Sequence, residues 1–149
     1  GPASSGITTG NAEVARQARR ILFSTGAAEE LYDKSNEYVF SVLTPGRQYM
    51  ASGLRLLHKA GARSVVFAFE SKSFSKSVCE GANATAVELG FEVPGFYEYE
   101  AGKQNFADLV YEIKRVRADV YVGCGHIDDV TYVIGTANVL NVNPKAMLV

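Results

Sequence analysis

Four stretches of this chain carry side chains whose types and spacing could do chemistry. Gly123-Cys124-Gly125-His126-Ile127-Asp128 places a thiol, an imidazole and a carboxylate in close succession. As a nucleotide fingerprint it has G-x-G after a strand pattern. Asp128 stands where a third glycine belongs, however, and a carboxylate at a helix start repels a pyrophosphate, so that reading fails. As a nucleophilic pair, Cys124 and His126 would make the chain a free-standing α/β enzyme, but no oxyanion device accompanies them. His126 fits better as a polar contact in a cleft, the alternative being a solvated loop histidine. Ser4 and Ser5 lie in the Gly-rich opening Gly1-Pro2-Ala3-Ser4-Ser5-Gly6 ahead of a helix. Hydroxyls, backbone N–H groups and the positive end of a helix dipole suit a carboxylate there, and a plain N-cap needs the same residues.

The third stretch, Glu70-Ser71-Lys72-Ser73-Phe74, closes an apolar run, so its polar groups and aromatic ring fall at a strand end. The fourth, Thr25-Gly26-Ala27-Ala28-Glu29, is a small-residue loop with one charge, which could meet an ammonium or simply be solvated. Cys79 and Cys124 are too few and too irregularly spaced for a zinc site or a disulfide framework, and are read as two buried thiols. Asn83-Ala84-Thr85 has the form of a glycosylation acceptor but falls inside a helical pattern. His58, Lys72, Lys76, Lys114, Arg115 and Arg117 read as solvated groups. No cofactor and no metal are expected.

The elements that must position these groups follow from periodicity. Ser64-Val65-Val66-Phe67-Ala68-Phe69-Glu70 is uninterrupted by polar residues from Val65 to Phe69 and rich in β-branched and aromatic types, the pattern of a strand buried on both faces. A helical pattern precedes it, from Arg47 to Ala60, carrying Met50, Leu54 and Leu57. Another follows, from Ser75 to Leu89, with Val78, Ala82, Ala86 and Leu89 on one stripe. Phe91 to Tyr99 is a second strand, and Pro94-Gly95 assigns it to an edge. Asn105 caps a helix with Phe106, Leu109, Val110 and Ile113 on one face. Asp119 to Gly123 is a third strand, Val130, Val133, Ile134, Ala137 and Leu140 line a further helix, and Ala146 to Val149 begins a fourth strand. Such alternation predicts an α/β fold with an open parallel sheet and flanking helices. Before it, Gly1 to Gly10 reads as loop, Asn11 to Arg20 as helix with Thr8, Thr9 and Asn11 as cap candidates, and Ile21 to Ser24 as a short strand. Thr25 to Asn36 is irregular, and Tyr38 to Thr44 is extended up to Pro45.

Composition narrows the partners. The chain has 149 residues and a formal net charge of −1, which points to neither nucleic acid nor an anionic membrane. No apolar run approaches the ~20 residues of a membrane helix. Gly1 is no translation start, so the chain reads as processed, excised or incomplete.

The succession Gly-Pro-Ala-Ser-Ser-Gly-Ile-Thr opening a helix, Tyr38-Val39-Phe40 with Pro45, the strand ending in Glu70 with Phe74, then Gly102, Phe106 and Asp119 to Gly125 resembles the type I periplasmic binding proteins. More narrowly, it is similar to the Leu/Ile/Val-binding group. The resemblance spans nearly the whole chain and implies a middle segment of a two-lobe protein. Residues 1–37 would be part of lobe one, 38–45 the hinge crossing, and 46–149 the lobe-two sheet, incomplete at its end. It implies capture of a small polar solute, most often an amino acid, without catalysis. Delivery would be to the permease of an ABC-type membrane transporter; the alternative is the sensing domain of a membrane receptor. Periplasmic or extracellular placement follows from the same likeness. Ser5, with Ser4, would meet a ligand carboxylate, Ala27 and Ala28 would fall in the second ligand loop, and Phe74 and His126 would contribute from lobe two. Ala28 departs from the family, which carries a threonine there.

Overall fold

The computed structural model describes residues 1–149, the side chain of Lys34 apart. Helix α1 (Ser5–Ala18) leads to strand β1 (Leu22–Ser24), two short 3-10 turns and strand β2 (Val39–Ser41). A regular succession follows: α2 (Ala51–Lys59), β3 (Ser64–Glu70), α3 (Ser73–Glu88), β4 (Glu92–Tyr99), α4 (Ala107–Val116), β5 (Val120–Cys124), α5 (Ile127–Val139) and β6 (Ala146–Leu148). The last four strands form one parallel sheet in the order β4-β3-β5-β6, while β1 and β2 pair in parallel as a separate two-stranded sheet.

The apolar run of β3 lies inside the sheet, as its composition predicts. Val65, Phe67 and Phe69 point into a core with Leu54 of α2 and Val78, Ala82 and Ala86 of α3. Val66 and Ala68 point the other way, into a core with Phe106, Val110 of α4, Tyr121, and Val133 of α5. Burial on both faces is what a parallel strand covered by two helix layers requires. β4 is the edge strand. Its register against β3 slips by one residue between the Ser64–Glu92 and Val66–Gly95 pairs, around Pro94, which has no N–H to give the ladder.

Two expectations are corrected. Helix α1 starts at Ser5 rather than near Asn11, so the predicted loop is already helical. Gly6, Gly10 and three β-branched residues weaken intrinsic propensity, but the Ser4 hydroxyl accepts from the Ile7 N–H at 3.2 Å as N-cap. Burial of Ser5, Thr8, Ala12 and Ala15 then holds one face, a case of tertiary packing overriding propensity. Secondly, Cys79 and Cys124 are not free thiols. They form a disulfide joining α3 to the end of β5. The two are 45 residues apart in sequence and only the fold brings them to the same side of the sheet, so spacing could not reveal the pair.

At the amino end of the sheet Asp119 acts as a clamp. One carboxylate oxygen accepts from the backbone N–H of Arg63 at 2.8 Å and of Ser64 at 3.3 Å, the other meets Lys145 Nζ at 2.7 Å, and Ser64 Oγ accepts from the Asp119 N–H at 2.9 Å. Lys145 first, then these backbone donors, hold its carboxyl below the usual carboxylate range. A depressed acid contributes stability above its unfolded pKa and loses it as pH falls through the folded value. Asp119→Asn is therefore expected to cost about 1–3 kcal/mol at pH 7, with the gap from the parent protein closing below about pH 4. Urea unfolding across pH checks this, and a gap unchanged at low pH would contradict it. Reduction of Cys79–Cys124 is expected to lower stability by about 2–4 kcal/mol, and coincident urea midpoints with and without reductant would contradict that bridge.

Candidate functional site

The carboxyl ends of β3 and β5 lie side by side, and the turns that follow them bring chemistry together. Open parallel sheets take ligands at this end because the loops diverge there and helix N-termini point toward it. β3 delivers Glu70, which is about 1 % exposed despite its charge. Lys72 Nζ sits 2.6 Å from its Oε1, His126 Nδ1 is 2.5 Å from its Oε2, and the Ser75 hydroxyl donates to Oε2 at 3.5 Å. Burial by itself would raise the Glu70 carboxyl, but Lys72 and then His126 hold it below its ordinary range.

β5 delivers Gly123-Cys124-Gly125-His126 and the first turn of α5. The two glycines serve neighbouring tyrosines rather than a phosphate. A Cβ at Gly123 would come to 2.8 Å from the Tyr121 hydroxyl, and one at Gly125 would strike the Tyr99 hydroxyl. Asp129, three residues after His126 on α5, turns inward and is about 5 % exposed. One of its oxygens, Oδ2, has no hydrogen-bond partner among the described residues. Burial first, and the negative charge of Glu70 second, push its carboxyl up. The Tyr99 hydroxyl, buried with the Asp129 charge beside it, is pushed up as well. A cavity of about 230 Å³ opens over this group, lined by Glu70, Lys72, Gln104, His126, Asp129 and Tyr132 among others.

Phe74, in the first turn of α3, makes aromatic contacts with His126 at 6.0 Å and with Tyr49 at 5.9 Å between ring centroids. It also packs against the core under α3, so its ring is anchored at one edge. Phe74 and His126 are thus brought together.

The first-segment residues form a second group. The Ser5 hydroxyl accepts from the Ala28 N–H at 3.1 Å, and both residues are buried. Ser4 caps α1, and the Ala27 carbonyl accepts from the Gly46 N–H at 2.7 Å. Ser5, Ala27 and Ala28 are therefore brought together as a buried junction, with Ser5 and Ala28 in direct contact. Glu29, whose N–H donates to Ser77 Oγ of α3 at 3.4 Å, turns its carboxylate to Arg47 Nε at 3.0 Å. Its charge is committed to a guanidinium rather than waiting for an ammonium. A groove of about 710 Å³ runs between this loop and the start of α3, bordered by Glu29, Tyr32, Arg47, Ser73, Ser77 and Glu80 among others. It is the place where the first segment and the main sheet share one concave surface.

The sequence marks the stretch from Glu70 to Phe74 but gives Glu70 no role, takes Lys72 for a solvated charge although it pairs with Glu70, and does not show Asp129, Tyr49 and Arg47 as members of these groups. Glu70 and Asp129 left a signal: a charge closing a doubly buried strand, and an acid at helical spacing from His126. The disulfide also removes Cys124 as a nucleophile.

This architecture matches known proteins. The family model described as "Periplasmic binding protein" matches residues 1–149, and the chain belongs to that family. Among solved structures, an extracellular ligand-binding receptor from Rhodopseudomonas palustris HaA2 superposes with TM-score 0.87 at 17% identity, covering 98% of this chain and 41% of that one. A branched chain amino acid ABC transporter protein from Thermus thermophilus with bound valine gives TM-score 0.82 at 17% identity, covering 96% of this chain and 38% of that one. An ABC transporter solute binding protein from R. palustris in complex with benzoate gives 0.83 at 14% identity, covering 95% and 40%. The chain spans about two fifths of the length of these neighbours.

Glu70 is the hub of the sheet-end group. Glu70→Gln is expected to destabilise the protein by about 1–3 kcal/mol, through weakened bonds to Lys72 and His126. A urea midpoint unchanged from the parent would contradict its structural weight.

Proposed function

We propose that this chain supplies most of one wall, and a smaller part of the other, of a cleft that captures a small polar solute without transforming it. The observation that carries the reading is the meeting of Phe74 and His126 at the carboxyl end of the sheet. A separate groove, reaching Ser73 next to Phe74 in the chain, is bounded across from α3 by the loop that follows Ala28. Residues 1–37 then belong to lobe one, 38–45 to the hinge crossing and 46–149 to lobe two. An amino acid is the first candidate solute. Its carboxylate would be met by the N-terminal turn of α1 at the exposed Ser4, with the buried Ser5, Ala27 and Ala28 behind it, and its side chain by the exposed face of Phe74. That the structural neighbours hold valine or benzoate, both carboxylates, supports the acid part of this assignment.

In this reading the solute is passed to the membrane permease of an ABC-type transporter, from a periplasmic or extracellular position. The Cys79–Cys124 disulfide supports that location, because such bonds persist in oxidising compartments. A receptor's sensing domain would use the same wall, and a transmembrane helix in the flanking sequence distinguishes the two.

The test is calorimetry of the two-lobe protein against valine, leucine and benzoate. Binding of an amino acid is expected, with Phe74→Ala weakening it by about 1.5–3 kcal/mol, the value of burying such a ring. Benzoate binding without amino-acid binding would replace the solute class. Equal affinity of the parent and Phe74→Ala would remove this ring from the site.

A further inference from the structure

Beside His126, which the solute reading already places in the cleft, stand two carboxylates that it does not use, Glu70 and Asp129. A Glu70 oxygen, a His126 ring nitrogen and an Asp129 oxygen all lie within 4.8 Å of one another. Two carboxylates held this close repel, and their repulsion is met only in part: Lys72 takes Glu70 Oε1, and His126 takes Oε2. Asp129 Oδ2 is left without a hydrogen bond among the described residues although Asp129 is only about 5 % exposed. A buried carboxylate oxygen without a well-formed hydrogen bond is costly, and the Tyr99 hydroxyl beside Asp129 is itself buried. The cost is removed by a cation placed between the three donors.

We propose that Glu70, His126 and Asp129 form a three-ligand site for a divalent transition metal of the zinc class, on the solute-facing end of the sheet. No metal is expected from the sequence, where the two cysteines are too few for a zinc site; these three residues come together only in the fold. The donor set decides the class. An imidazole with two carboxylate oxygens suits zinc and its neighbours, whereas magnesium and calcium favour oxygen alone. Three protein ligands leave a fourth tetrahedral position, and the half-exposed side of His126 directs it into the 230 Å³ cavity, where water can complete it. The geometry is within reach. Ligand atoms about 2.0–2.1 Å from a tetrahedral zinc stand about 3.3 Å apart, and His126 Nδ1 and Glu70 Oε2 are now 2.5 Å apart. A sub-ångström swing of the half-exposed imidazole admits the ion, which replaces the hydrogen bond between them. Lys72 stays on Oε1, so Glu70 binds through one oxygen. The paired cysteines offer no thiolate to compete.

The experiment is calorimetric titration of the protein with zinc chloride, with cobalt(II) absorption as a second readout of ligand type. One zinc per chain is expected. Asp129→Asn and His126→Ala should each weaken binding by more than the ~10–100-fold that changes behind a ligand typically cost. Cobalt is expected to give the visible bands of a low-coordinate site, lost in both ligand variants. Circular dichroism identifies a variant that fails to fold, in which case the cobalt spectrum of the parent protein decides. Absence of zinc binding by the parent overturns the site. Zinc binding unaffected in both folded variants places the ion elsewhere and overturns it too. Equal affinity for magnesium or calcium overturns the metal class. None of these outcomes depends on which solute the cleft takes.

Discussion

The structure depends on one constraint, the burial of β3 on both faces between β4 and β5. Each apolar residue from Val65 to Phe69 is nearly inaccessible, and alternate side chains enter two different helix-covered cores. A strand so placed cannot shift register without sending every side chain into the wrong layer. Its last residue is therefore fixed in space, and that residue is Glu70. A charge at the end of a doubly buried strand must find partners, and the turns after β3 and β5 supply them as Lys72, Ser75 and His126. The chemistry at the sheet end is a consequence of where the core stops.

The first segment is attached to this body through α3. Gly81 lets the backbone at Arg47 approach so closely that any Cβ there would collide with it. Arg47, brought in by that contact, spans Glu29 on one side and Glu80 on the other. Both pairs are substantially exposed and contribute little to stability, but they set the orientation of the loop bordering the groove. β1 and β2 keep Phe23 and Phe40 exposed against each other, 6.0 Å apart between ring centroids, with no layer from the described residues over them. Position in this segment is thus set by a few close backbone contacts, whereas in the main sheet it is set by a filled core.

Much of the fold was legible because the information was local. Apolar runs and helical stripes located all four strands of the main sheet, and Pro94 assigned β4 to the edge. The start of α1 was not legible, since Gly6, Gly10 and the β-branched Ile7, Thr8 and Thr9 argue locally against a helix that packing enforces. The site was legible in part. Phe74 and His126 stand beside strand ends, where position in the pattern marks them out. Glu70 with Asp129, and Cys79 with Cys124, become pairs only when β3, β5 and α3 are laid side by side, and no spacing in the chain encodes that adjacency. The glycines around Cys124 carried a misleading likeness to a phosphate loop, their actual role being to clear space for two tyrosines.

The central claim is that solute meets this chain at the carboxyl ends of β3 and β5. A competing concavity of about 340 Å³ lies at the opposite end of the sheet, lined by Lys114, Arg117, Asp119, Asn143 and Lys145 among others. Backbone amide shifts recorded by NMR during titration with valine separate the two directly. The account predicts perturbation of Ser71 to Phe74 and Gly125 to Asp129, with Arg63, Asp119 and Lys145 unmoved. Shifts confined to Arg63, Asp119, Asn143 and Lys145 would contradict it.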